Sequence, residues 1–107
     1  MRIMLKSKIY NLRVTDTYLH YNGSISIDSK LMEEANIIEY EQVHVLDKSN
    51  GKRFITYAIA GKENEICVNG AAAHLVEIGD ELIILAYEIT DGGNILGRYA
   101  RIVNANK

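Results

Sequence analysis

Gly23 and Ser24 sit together in the stretch Leu19-His20-Tyr21-Asn22-Gly23-Ser24-Ile25-Ser26-Ile27-Asp28. Glycine has no Cβ to shield its carbonyl and takes φ > 0 freely, so a following hydroxyl can approach that carbonyl at close range. A strained turn there favours attack; the same dipeptide is also ordinary turn filler. Arg53 carries a planar fork that binds a carboxylate bidentately, contributing on the order of 1.5–3 kcal/mol when desolvated, whereas a solvated hairpin arginine contributes little. Lys8 is the second candidate cation, with a surface ion pair as its other reading. The Tyr57 phenol can act as a positioned acid despite its high reference pKa, or be a half-buried strand residue. Asn69 donates and accepts through one amide, and Gly70-Ala71-Ala72-Ala73 leaves the backbone open to a ligand. A tight turn and a closely packed helix explain that small-residue run equally well.

Other reactive residue types point nowhere. Cys67 is the only cysteine, which excludes an internal disulfide, and its apolar neighbours Ile66 and Val68 make it a small core residue rather than a nucleophile. His20, His44 and His74 lack metal-ligand spacing and no carboxylate cluster joins them, so no metal is expected.

The elements that must position these residues are short. Lys8 to Thr15 reads as a strand, although Ile9, Leu12 and Val14 do not alternate cleanly. Ile25 and Ile27 alternate with Ser24 and Ser26, which puts the Ser24 hydroxyl on the face opposite the isoleucines at the start of a strand. Asp28 is a good N-cap for a helix through Ala35 with Leu31, Met32 and Ala35 as its apolar stripe, and Asn36 can end it in the left-handed conformation. Val43 and Val45 mark a strand, Asn50-Gly51 a hairpin turn and Phe54 to Ala60 the returning strand. On a regular strand Thr56 and Tyr57 point to opposite faces. Ile66 to Val68 is a short strand feeding a helical turn at Ala71 to Leu75. Leu82 to Ile89 is nearly continuously apolar and reads as buried on both faces. Gly92-Gly93 turns into a last strand near Tyr99 to Val103. Short strands with frequent turn signals argue for a mainly β barrel with two small helices.

At 107 residues the chain reads as one domain, small enough to gain from assembly. A formal charge of −2 and a pI near 5.9 provide no basic field, so nucleic-acid binding is not expected. No apolar run approaches the ~18 residues that span a bilayer, and the N-terminus is too short for a signal h-region. No membrane partner and a cytoplasmic location are the expectations.

Met4-Leu5, Lys8-Ile9, Val14-Thr15, Leu19, Tyr21, Gly23-Ser24 and Ile27-Asp28 resemble the start of the pyruvoyl-dependent aspartate 1-decarboxylases. Asn50-Gly51-Lys52-Arg53-Phe54, Thr56-Tyr57-Ala58-Ile59 and Val68-Asn69-Gly70-Ala71-Ala72-Ala73-His74 are similar to that family's other two signature segments, in the same order. The similarity covers the chain to about Tyr87. Tyr10 stands where several relatives carry histidine, Ile55 where serine is usual, and a short Gly92-Gly93 turn replaces a longer acidic loop.

The resemblance implies a double-psi β-barrel in a homotetramer with sites at subunit interfaces, and a chain that cuts itself. Ser24 Oγ would attack the Gly23 carbonyl, and the resulting ester would eliminate to dehydroalanine and hydrolyse to a pyruvoyl group. A β fragment 1–23 and an α fragment 24–107 would result, with maturation either spontaneous or assisted by an accessory factor. L-Aspartate would then form a Schiff base with the pyruvoyl and leave as β-alanine and CO2, for pantothenate synthesis. A self-made electron sink also fits the residues better than pyridoxal phosphate, because Gly51-Lys52 lacks P-loop spacing and no other phosphate cradle is evident. By the same resemblance Tyr57 donates the proton and Thr56 polarises the scissile carbonyl during processing; Tyr21, two residues before the cut, is placed to line the pocket. Fold alone does not fix activity, so a non-catalytic double-psi barrel that binds proteins or peptides is the alternative.

Overall fold

The alternation around Ser24, the cap at Asp28 and the turn at Asn50-Gly51 each become one local element, and long-range strand pairing joins them. A computed structural model describes residues 1–91 and 100–106. Its strands are β1 (Arg2–Arg13), β2 (Asp16–Tyr18), β3 (Ser24–Asp28), β4 (Gln42–Asp47), β5 (Arg53–Gly61), β6 (Ile66–Asn69), β7 (Glu81–Thr90) and β8 (Arg101–Asn104), with helix α1 (Ser29–Ala35) and a 3-10 turn at Gly70–Leu75. They form one mixed sheet in the order β2-β6-β3-β5-β4-β7-β1-β8. This mainly β architecture is consistent with the expected double-psi β-barrel; among the described residues the ladder ends at β2 and β8 without closing. Among them, too, no helix is long and apolar enough to cross a membrane.

The local expectations for α1 and the hairpin are met for the reasons the residues suggest. Asp28 accepts from the Lys30 N–H at 2.8 Å, and Asn36 ends the helix at φ 56° with its N–H directed to the carbonyls of Glu33 and Met32. Gly51 takes φ 77° in the β4–β5 turn. Core side chains Ile9, Ile25, Ile27, Val43, Val45, Ala58, Val68, Leu82 and Ile84 are wholly buried.

Two expectations change. The first strand begins at Arg2 rather than Lys8 and ends at Arg13, because its N-terminal residues pair with β7 as far as Arg2↔Thr90. Register shifts between Leu5 and Ser7 and between Ile9 and Leu12, with Asn11 at φ 61°, are bulges that explain the missing alternation. β7 is not buried on both faces: Leu82, Ile84 and Ala86 are inside, whereas Ile83, Leu85 and Tyr87 are half-buried and Ile89 is exposed. The outer face of β7 therefore joins Ile3, Leu5 and Ile55 on an apolar surface of the protomer. The short strand β2 has no sequence signal of its own. The Gly92-Gly93 turn and Tyr99 lie outside the described residues.

Asp47 anchors the hairpin end. Its Oδ1 accepts from the N–H groups of Ser49 at 2.8 Å and Asn50 at 3.3 Å, while Oδ2 is buried without a hydrogen bond. Burial first, then the neighbouring Asp80 carboxyl, raises Asp47 above the ordinary carboxylate value, and Asp80 is lowered, chiefly by the Asp47 side chain. A raised folded-state pKa stabilises below the unfolded value and loses that contribution as pH rises through it; the lowered Asp80 contributes above its unfolded value and fails as pH falls. The pair therefore favours mildly acidic over neutral solution. Asp47→Asn is expected to remove that preference, so that melting curves at about pH 4.5 and about pH 7.5 differ less than in the parent chain. Parallel profiles would count against a raised Asp47 pKa.

Candidate active site

Residues directly opposite one another on antiparallel strands share a face. β3 pairs with β6 so that Ser24 faces Asn69 and Ser26 faces Cys67, while Ile25, Ile27 and Val68 fill the core on the other side. The serine face is nevertheless covered: Ser24 is 1% exposed and Asn69 4%. Asn69 Nδ2 donates to Ser24 Oγ at 2.9 Å and to Ser26 Oγ at 3.1 Å, and the Ser24 hydroxyl donates to the Asn22 carbonyl at 3.3 Å. Asn69 also accepts at Oδ1 from Cys67 Sγ at 3.2 Å. No motif in the sequence singles out Ser26 or Cys67 as part of a site, although the period-two spacings 24/26 and 67/69 place each beside its partner on one face.

Gly70 belongs to this cluster through what it lacks. A Cβ there would lie 2.7 Å from Gly23 Cα, 2.8 Å from Gly23 N and 3.0 Å from the Tyr21 carbonyl oxygen, and the residue sits at φ +74°. Glycine at 70 thus lets the 3-10 turn press its backbone against the Gly23-Ser24 segment. Of the neighbouring alanines, Ala71 is exposed, Ala73 is half-buried and Ala72 packs against the core. Tyr21 turns its ring outward, 5.9 Å from that of Tyr18, so its carbonyl rather than its phenol lies next to the turn.

Tyr57 arrives on the adjoining strand. β3 runs parallel to β5 with Ile25 opposite Ala58, so the preceding residues, Ser24 and Tyr57, are neighbours one strand spacing apart, about 4.8 Å. Tyr57 pairs with Gln42 and Thr56 with Val43; Val43 is wholly buried, which sets Thr56 on the core side and Tyr57 on the opposite one. The Thr56 hydroxyl makes no hydrogen bond among the described residues. Tyr57 also meets Tyr40 at a ring separation of 6.0 Å, in an open depression of about 480 Å3 lined by Tyr40, Gln42, Ile55, Thr56 and Tyr57.

The two cations lie apart from this group, on the outer face. Lys8 pairs with Leu85, Leu85 with His44 and His44 with Ile55, one row across the outer face of β1, β7, β4 and β5. Arg53 Nη2 lies 3.0 Å from His44 Nδ1 and donates to the Tyr87 hydroxyl at 3.1 Å, with the His44 and Tyr87 rings 4.9 Å apart edge to face. Four residues of extended strand separate Arg53 from Tyr57, about 13 Å, and the guanidinium leans toward β4 and β7 rather than β3. Within one protomer the structure therefore sets Ser24, Asn69 and Gly70 together, with Tyr57 on the neighbouring strand, whereas Arg53 keeps His44 and Tyr87 and, among the described residues, no contact joins it to Lys8.

Chemically, the first group is a buried hydroxyl hydrogen-bonded to Asn69 and to the Asn22 carbonyl, and Arg53 is a guanidinium on the outer face held by His44 and Tyr87. A model of the family described as "Aspartate decarboxylase" matches residues 1–107, which carries the likeness past Tyr87 through the C-terminal segment. The chain is 54% identical over 98 residues to the aspartate 1-decarboxylase of Syntrophus aciditrophicus, covering 90% of this chain and 84% of the relative. It is 56% identical over 86 residues to that of Clostridium botulinum (strain Loch Maree / Type A3), covering 78% and 68%, and 48% identical over 103 residues to that of Campylobacter hominis, covering 96% and 90%. With a family model matching residues 1–107 and relatives 48–56% identical over most of the chain, this chain belongs to the aspartate decarboxylase family.

Proposed function

We propose that the chain is an aspartate 1-decarboxylase that cuts itself between Gly23 and Ser24 and converts L-aspartate to β-alanine and CO2, in the cytoplasm, for pantothenate synthesis. The observation that carries the reading is the Ser24 hydroxyl, buried and held at 2.9 Å by Asn69 Nδ2 beside a glycine contact that admits no methyl group, in a chain of this family.

A pyruvoyl made from Ser24 fits these surroundings, since the Asn69 amide already directs an N–H at that side chain and Gly70 leaves room for the backbone ahead of it. Such a ketone supplies the electron-accepting carbonyl that no ordinary side chain offers. The residues around it do the rest. Arg53 and Lys8 bind the acidic substrate through its carboxylates, Tyr57 holds the proton that is returned to the substrate carbon, and Asn69 with the backbone of Gly70 to Ala73 orients the bound molecule. Arg53 leans away from Ser24 within a protomer, which supports a site completed by Arg53 of a second copy; the homotetramer with sites between subunits is what the family resemblance implies. The apolar outer face bearing Ile3, Leu5, Ile55 and Ile89 suits such contacts.

Intact-mass measurement and CO2 release test this together. Two fragments dividing between Gly23 and Ser24 are expected, the larger without a free amine and trapped by hydroxylamine, with CO2 released from aspartate in preference to glutamate. Tyr57→Phe should cut normally and turn over at least ~100-fold more slowly. A single uncut chain after prolonged warming would replace the enzyme with the non-catalytic barrel.

A further inference from the structure

Resting on the self-cleavage reading above, we propose that Cys67 and Ser26 are positioning residues for the cut, fixing the Asn69 amide so that its Nδ2 holds the Ser24 oxygen. The four side chains form one closed set on β3 and β6: Ser24, Ser26, Cys67 and Asn69 are all buried, and each is paired with another member across the strands. Cys67 donates its S–H to Asn69 Oδ1 at 3.2 Å, and the two amide hydrogens go to Ser24 at 2.9 Å and Ser26 at 3.1 Å.

A serine hydroxyl donates or accepts equally well, so two serines alone would tolerate either flip of the amide. The thiol removes that freedom. Burial, then the carboxylates of Glu65 and Asp16, pushes its titration up, so Cys67 keeps its proton, and Oδ1 is the atom that accepts it. Ser26 takes the second amide hydrogen, which would otherwise be buried without an acceptor. With the amide so set, Ser24 Oγ receives an N–H on one lone pair and directs its own proton to the Asn22 carbonyl at 3.3 Å. One lone pair is left for the Gly23 carbonyl. In the acyl shift a bond forms from Oγ to the Gly23 carbonyl carbon, the Gly23–Ser24 C–N bond breaks, and the hydroxyl proton ends on the released amine of Ser24. No co-reactant is needed.

The full chain, made by cell-free synthesis and quenched at intervals, reports the uncut fraction by intact mass. Cys67→Ala is expected to slow the cut roughly tenfold or more, because a buried acceptor loses its donor. Cys67→Ser restores a donor to Oδ1 and should stay within about threefold of the parent. Ser26→Ala should slow the cut as Cys67→Ala does, and carries the test by itself should Cys67→Ala fail to melt cooperatively in a Ser24→Ala background. A packing role for Cys67 would be met as well by Cys67→Val, which fills the space without a donor; the proposal expects that variant to cut as slowly as Cys67→Ala. Cutting at the parent rate by Cys67→Ala and Ser26→Ala, or a Cys67→Ser chain as slow as Cys67→Ala, overturns the proposal alone. A parent chain that never cuts removes the self-cleavage reading and the proposal with it.

Discussion

Ser24→Ala is expected to remain a single chain of 107 residues and to release no CO2 from aspartate. The substitution removes the oxygen that, in the proposed cut, attacks the Gly23 carbonyl, and with it the residue from which the proposed ketone is made. The fold should survive. Its core on this side consists of Ile25, Ile27 and Val68, which the change does not touch, and the loss is one of the two acceptors of Asn69 Nδ2, a cost of about 1–3 kcal/mol for a buried donor left unpaired. Intact mass, CO2 release and a melting curve decide the matter. Fragments divided between residues 23 and 24, or measurable decarboxylation by a folded variant, would falsify the serine chemistry.

Gly70→Ala should block or slow the cut by at least ~10-fold, since displacing the carbonyl by even ~1 Å from a fixed nucleophile is costly. The added methyl would meet Gly23 Cα at 2.7 Å and N at 2.8 Å. These are backbone atoms, so the Gly23 loop or the 3-10 turn must move. Ser24 Oγ cannot simply follow, because Asn69 holds it from the residue directly before the substitution. The left-handed backbone at φ +74° adds roughly 1–2 kcal/mol for any residue with a Cβ. A time course of uncut chain measures the first effect and thermal melting the second. Cutting at the parent half-time would show that the Gly70 contact is not what aligns the scissile bond.

Elements specified by neighbouring residues are legible in the sequence. The α1 cap and stop need only Asp28 and Asn36, and the β4–β5 hairpin needs alternating valines and Asn50-Gly51, so both stand where expected. β1 reads too short because its bulges break the period on which strand detection depends. β2, with three exposed residues, exists through its parallel pairing with β6. The apolar run of β7 suggests two buried faces, but only the face toward Ile9 and Val45 is covered within the protomer, because hydrophobicity records that a surface is to be hidden and not by which molecule.

Residue types and their order along the chain carry the mainly β class and the family likeness, and it is that likeness, more than spacing, that directs attention to the Gly23-Ser24 bond and to Arg53. Tertiary structure decides the company those residues keep. Asn69 reaches Ser24 across 45 positions through strand register, Gly70 meets Gly23 through the turn that follows, and Arg53 turns to His44 and Tyr87 rather than to the serine. Such pairings depend on which strands lie side by side and in what register, and a one-residue slip would reverse every face; no local pattern in the sequence carries that information.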